Sequence, residues 1–250
     1  MSDFNRGYAR PVPGAADMSV DAGLRAFMLG VFNKMALGLV VSGLFAFLTS
    51  SVAPVRDLLF RMTPDGRLAG YTILGMVVAF APLAVLLFGG FARREPNPRS
   101  AGIMYWTIVS LIGASMGALL LVYTGASVAS TFFITAASFG ALSLVGYTTK
   151  KDLTGFGSFL IMGVIGLVIA SLVNIFLKSP AIYFIVNALG VLIFAGLTAY
   201  DTQRLKMTYY AIGGDQNALG VATNYGALSL YLDFINLFQF LLAFLGNRRG

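Results

Sequence analysis

Two aspartates stand where acids are costly. Asp233 lies within "LSLYLDFINLFQFLLAFLG", residues 228–246, a run with no other charge, and Asp201 lies in "FAGLTAYDTQRLK". An Asp at the centre of a membrane helix costs about 2.5–3.5 kcal/mol on insertion scales, so it normally faces protein or water and has a partner. Helical spacing selects the neighbours. Ser229, Asp233 and Asn236 share one face at i, i+4 and i+7, and Asn187, Thr198 and Asp201 share another at i, i+11 and i+14. These are the polar candidates for a pore wall. Two antiparallel helices joined through "MTYYAIGGDQNALGVATN" would bring both acids to comparable depth. Carboxylates that meet in a low-dielectric site cannot both ionise cheaply, so they share a proton and titrate as a coupled pair. That is proton sensing in a chain that has no histidine. An intramembrane acid marks an ion or proton path by default. The residues alone leave one alternative open, in which Asp233 caps an internal hydrogen-bond network.

The other candidate chemistry is weak. "GASMG", residues 113–117, matches the G-x-S-x-G nucleophile elbow with Ser115 as nucleophile. That elbow needs a strand–turn–helix setting and a base. The same residues match G-x-x-x-G, where small side chains let membrane helices approach. Helix packing is the expected role, and the protein is not expected to be an enzyme. No phosphate loop, nucleotide fingerprint or metal-ligand cluster is present, so no cofactor is expected, and a metal site is not assignable. Of the ten acidic residues, eight fall in the N-terminal segment or in loops, as solvated charges do.

The elements that must position Asp201 and Asp233 follow from composition. The chain has 250 residues, 58% hydrophobic and 11% charged, against roughly 25% charged in soluble domains. This is an all-α integral membrane protein. Seven stretches can cross a hydrocarbon core of about 30 Å: residues 25–50, 70–91, 102–123, 126–147, 156–177, 180–200 and 224–246. "YTG" is so tight a link that spans three and four form a hairpin, and "SVAPVRDLLFRMTPDGRL" is expected to hold a short interfacial helix around Arg56–Met62. Residues 1–23 read as a disordered cytoplasmic tail and 24–250 as the membrane domain. With the N-terminus inside, eleven of the 17 Lys and Arg fall on the cytoplasmic side, as the positive-inside rule requires. The net charge of +7 therefore suits anionic lipid head groups rather than nucleic acid.

"ALSLYLDFINLF", with "AYDTQRLK" about thirty residues upstream, resembles the Bax inhibitor family, the transmembrane Bax inhibitor motif proteins. The resemblance is strong over residues 195–246. It implies seven helices with the last one central and surrounded by the other six. It also implies a pH-responsive calcium leak, here in a bacterial inner membrane, with a paired-aspartate sensor at Asp201 and Asp233. A basic residue at the end of the second span would meet the pair, and Arg93 of "FARREPN" is the one closer to the membrane. The chain departs from a simple calcium path in having no acid in its first five spans. Amide oxygens of Asn187, Asn236 and Gln239 would have to assist. The expected assembly is a monomer in the lipid bilayer with calcium as permeant. The alternative is an interaction protein that binds another membrane protein, such as a quality-control protease.

Overall fold

A computed structural model describes residues 21–89 and 97–249. Its long helices follow the apolar runs and end on identifiable capping chemistry. α1, Ala22–Ser51, starts at Asp21, whose carboxylate accepts from the Gly23 and Leu24 amides. α4, Pro98–Val122, opens with a capping box between Asn97 and Ser100. α5 (Gly125–Thr148) and α7 (Pro180–Ile212) start on Thr124 and Ser179, each accepting from the third amide beyond it. α8, Gln216–Leu245, is capped by Asp215. Such caps satisfy amides that have no partner within the helix. α6, Thr154–Leu177, completes a set of six helices long and apolar enough to cross a membrane.

The seventh expected span is α3, Ile73–Gly89, an apolar helix of 17 residues with Pro82 inside it. It is shorter than the other six. Between α1 and α3 the structure has a seven-residue helix, α2 (Ala53–Leu59), that starts and ends earlier than the expected interfacial helix. A hairpin follows: β1, Phe60–Met62, pairs antiparallel with β2, Leu68–Tyr71. The expectation missed this hairpin. Its turn is the "TPDG" segment, in which Gly66 has φ +76° and its amide donates to the Thr63 carbonyl. A positive φ favours glycine, and Pro-Asp-Gly is turn chemistry.

The link between the last two helices is also shorter than its sequence suggests. α7 runs on to Ile212, and only Gly213, Gly214 and Asp215 separate it from α8. Gly213 and Gly214 both take positive φ. The two helices then run antiparallel: Asp201 meets Ser229, and Gly190 lies against Phe240.

α8 is the most buried of the six long helices, with half of its apolar window inside the protein against 33% or less for the rest. It packs on α1, α4, α5 and α7, while α3 packs on α4 and α6 on α7. The chief core cluster gathers around α8, through Leu230, Tyr231, Phe234 and Phe238. Outward faces are apolar, as Phe133, Phe159, Phe176 and Leu192 show. In water such a surface would be a large liability. In hydrocarbon it is the required one.

The α1–α4 contact settles the role of "GASMG". Built Cβ atoms at Gly113 and Gly117 would collide with the Ser42 backbone and the Thr49 side chain of α1. Ser115 donates to the Ile112 carbonyl of its own helix. This is small-residue helix packing.

Candidate functional site

Asp201 of α7 and Asp233 of α8 are both buried, at 6% and 5% exposure. The antiparallel pairing brings their carboxyl groups within hydrogen-bonding reach of each other. Ser229, one turn before Asp233, donates to Asp201 Oδ2 in a short hydrogen bond. Arg204 closes the cluster. Its Nη2 lies 3.3 Å from Asp201 Oδ1 and donates to Ser229 Oγ at 3.2 Å. Its guanidinium also sits over the Tyr200 ring at 5.6 Å. Asp201 is therefore well served. Asp233 is not, because its buried Oδ2 has no hydrogen-bond partner among the described residues. A buried polar atom without a partner is expensive. A proton held between the two carboxyls would supply the missing bond. The arrangement is thus suited to gaining and losing a proton.

The opposite face of the same α7 turn is anchored elsewhere. Gln203 accepts from the Leu153 amide and donates to the Lys151 carbonyl, both at 2.8 Å, and so clamps the α5–α6 loop. Lys206 is 4% exposed, and its ammonium donates to the Tyr147 carbonyl at 2.8 Å in the last turn of α5. A cation there complements the negative end of the helix. Sequence reasoning singled out neither residue, and it passed over Arg204. A signal for Arg204 existed, since it stands three residues after Asp201, the spacing of a helical ion pair.

The remaining expected residues divide. Ser229 joins the acid pair. Thr198 and Asn187 are buried, but each donates within α7, to the Phe194 and Tyr183 carbonyls. Asn236 likewise donates to Leu232 in α8. Gln239 faces outward and cannot assist a central path. Arg93 lies outside the described residues, as does the tail up to Val20. Among the described residues no three acidic, His or Cys side chains gather as a metal site. An apolar cavity of about 140 Å³ lies apart from the acids, between α1, α4, α5 and α8, with Leu39, Met116 and Phe132 among its walls.

The family model "Inhibitor of apoptosis-promoting Bax1" matches residues 24–250. A protein of Caulobacter vibrioides is 71% identical over the full length of both chains. One from Rickettsia prowazekii is 47% identical over 92% of each chain. The inner membrane protein YbhL of Escherichia coli K12 is 42% identical, over 91% of this chain and 94% of its own. With its family-model match running from the first helix to the last residue, this chain belongs to the Bax inhibitor family of membrane proteins.

Proposed function

We propose that this protein is a pH-sensitive calcium leak channel of a bacterial inner membrane, with its N-terminus cytoplasmic and α8 at the centre of seven spans. The observation that carries the reading is the buried Asp201–Asp233 pair, in which one carboxylate oxygen has no partner while Arg204 and Ser229 hold the other acid. Intramembrane acids carry an insertion cost of about 2.5–3.5 kcal/mol and by default mark a path or a switch. Adding a proton to the pair removes one negative charge from the α7–α8 contact, and removing it leaves two carboxylates against Arg204. A change of that kind biases two helix arrangements differently. Calcium suits the site as a transient visitor, since carboxylate oxygens are its ordinary ligands.

The test is calcium flux into proteoliposomes from pH 5 to 8, with wild type, Asp201→Asn and Asp233→Asn. Wild-type flux should titrate with pH, and both substitutions should flatten the curve. A folded wild-type protein that passes no calcium at any pH defeats the reading and leaves the membrane-protein-binding alternative in front.

A further inference from the structure

If the acid pair governs a leak, ions must reach it from the far side of the membrane, and the polar atoms of the bundle differ by region in how well they are satisfied. On the α1–α4 side the buried hydroxyls of the described residues are occupied, and the buried polar atom left without a partner there is an amide oxygen, Asn224 Oδ1, beside Gly102 of α4. Ser42 donates to the Val109 carbonyl and meets the Tyr231 hydroxyl, and Thr49 bonds the Ala114 carbonyl. α5 is different. It packs on α7 and α8, and its inward face carries Thr131, Thr135 and Ser143, at 0%, 0% and 5% exposure. Thr131 Oγ1 and Ser143 Oγ are buried without a partner among the described residues. The third such atom in this region is Asp233 Oδ2 itself. Threonine and serine in a membrane helix commonly bond the carbonyl one turn back, as Thr135 does to Thr131. Thr131 and Ser143 make no such bond.

We infer that a water-accessible seam runs between α5, α7 and α8, with Thr131, Thr135 and Ser143 as its α5 wall, and that it is the route by which a permeating cation reaches Asp233. The inference rests on the leak reading for its cation but not for its water. The seam spans about 18 Å of helix rise from Thr131 to Ser143. Hydroxyl oxygens along it can each accept or donate, as a partly hydrated cation requires. One apolar step interrupts it: Phe139, between Thr135 and Ser143, meets the Phe234 ring of α8 at 5.5 Å. An apolar constriction of this kind closes a path by excluding water.

The chain has no cysteine, so single cysteines report cleanly. Thr131→Cys, Thr135→Cys and Ser143→Cys, each in the full chain in proteoliposomes, would be reacted with a cationic methanethiosulfonate. The control is Ile134→Cys, on the outward apolar face of α5 and 45% exposed. The reaction needs a thiolate, which hydrocarbon does not support, so the seam positions should react at least about tenfold faster than the control. Cysteine is close in size to both native residues, and three positions guard against one variant that folds poorly. Rates no higher than at Ile134→Cys overturn the seam. Fast labelling in a protein that passes no calcium would keep the seam and retract the calcium reading.

Discussion

Gly146 of α5 packs directly on the backbone of the α7 turn that precedes Asp201. A Cβ built there would sit 2.8 Å from the Ala199 carbonyl carbon and 2.9 Å from its Cα, and nearer still to the carbonyl oxygen. These are backbone atoms, which cannot rotate aside. Ordinary contact begins at 3.4 Å, and the carbonyl oxygen falls furthest short of it, so Gly146→Ala must push α5 and α7 apart by about an ångström. Overpacking on this scale costs about 1–3 kcal/mol. Gly140, on the same helix, has open space beyond it. Gly140→Ala therefore gains the same helix propensity, about 1 kcal/mol, without the clash. The difference between the two variants isolates the steric cost. Thermal unfolding in detergent should place Gly146→Ala on the order of 5 °C below Gly140→Ala. Ala199 stands two residues before Asp201, so the same displacement should distort the pH response of calcium flux in Gly146→Ala and leave it intact in Gly140→Ala. Equal melting temperatures would show that α5 and α7 are not in this close register.

Other substitutions probe the site directly. Arg204 is half-exposed, so its ion pair contributes about 0.5–1 kcal/mol. Arg204→Gln should therefore move the pH of half-maximal flux by about half a unit. The double variant with Asp201→Asn should behave as Asp201→Asn alone, and additive effects would deny the coupling. Gln203→Ala frees the Leu153 amide and the Lys151 carbonyl. Trypsin should then cut after Lys150 or Lys151 faster than in wild type, and an unchanged rate would mean the clamp does not hold the loop. Phe139→Leu shrinks the aromatic contact with Phe234 and should raise calcium flux at every pH, with unaltered flux refuting a constriction there.

The long helices could be read from the sequence because hydropathy and length are one-dimensional signals. The short "YTG" link and the comparable depth of Asp201 and Asp233 could be read from helical spacing and an antiparallel return, but the hairpin expected of spans three and four does not form: α4 packs on α1, α3 and α8, and α5 on α7 and α8. Three things did not follow. Hydropathy is blind to a hairpin with strands of three and four residues, and by that signal "TPDG" reads only as part of a link. A shared helix face does not say whether a polar side chain reaches a neighbour, and Asn187, Thr198 and Asn236 each bond their own helix instead. The resemblance points to a basic residue at the end of the second span, whereas the i, i+3 spacing of Asp201 and Arg204 marks the cation that the structure places at the pair. The hydroxyls of α5 carry no sequence mark at all. Ser and Thr are common in membrane helices, and only burial without a partner sets Thr131 and Ser143 apart.

The bonds around α7 also predict which helix moves when the pair changes its proton. Asp201 and Arg204 of α7 both bond Ser229 of α8, beside the Asp233 carboxyl, so this link depends on the charge of the pair. Gln203 and Lys206 tie α7 to α5 and its following loop through carbonyl and amide bonds. A proton on a carboxyl leaves the latter bonds unchanged. The backbone contact of Ala199 with Gly146 is also indifferent to charge. α5 and α7 should thus stay together while α8 shifts against them. Paired spin labels can separate the two interfaces. Met207 and Tyr225 are exposed on α7 and α8, and Thr148 is exposed at the end of α5. Between pH 5 and 8 the 207–225 distance distribution should change and the 148–207 distribution should not. In Asp233→Asn both should be constant, because the pair no longer alternates between its charge states. A change confined to 148–207 would locate the moving contact between α5 and α7, and the charge-dependent bonds of Arg204 would then be a static brace.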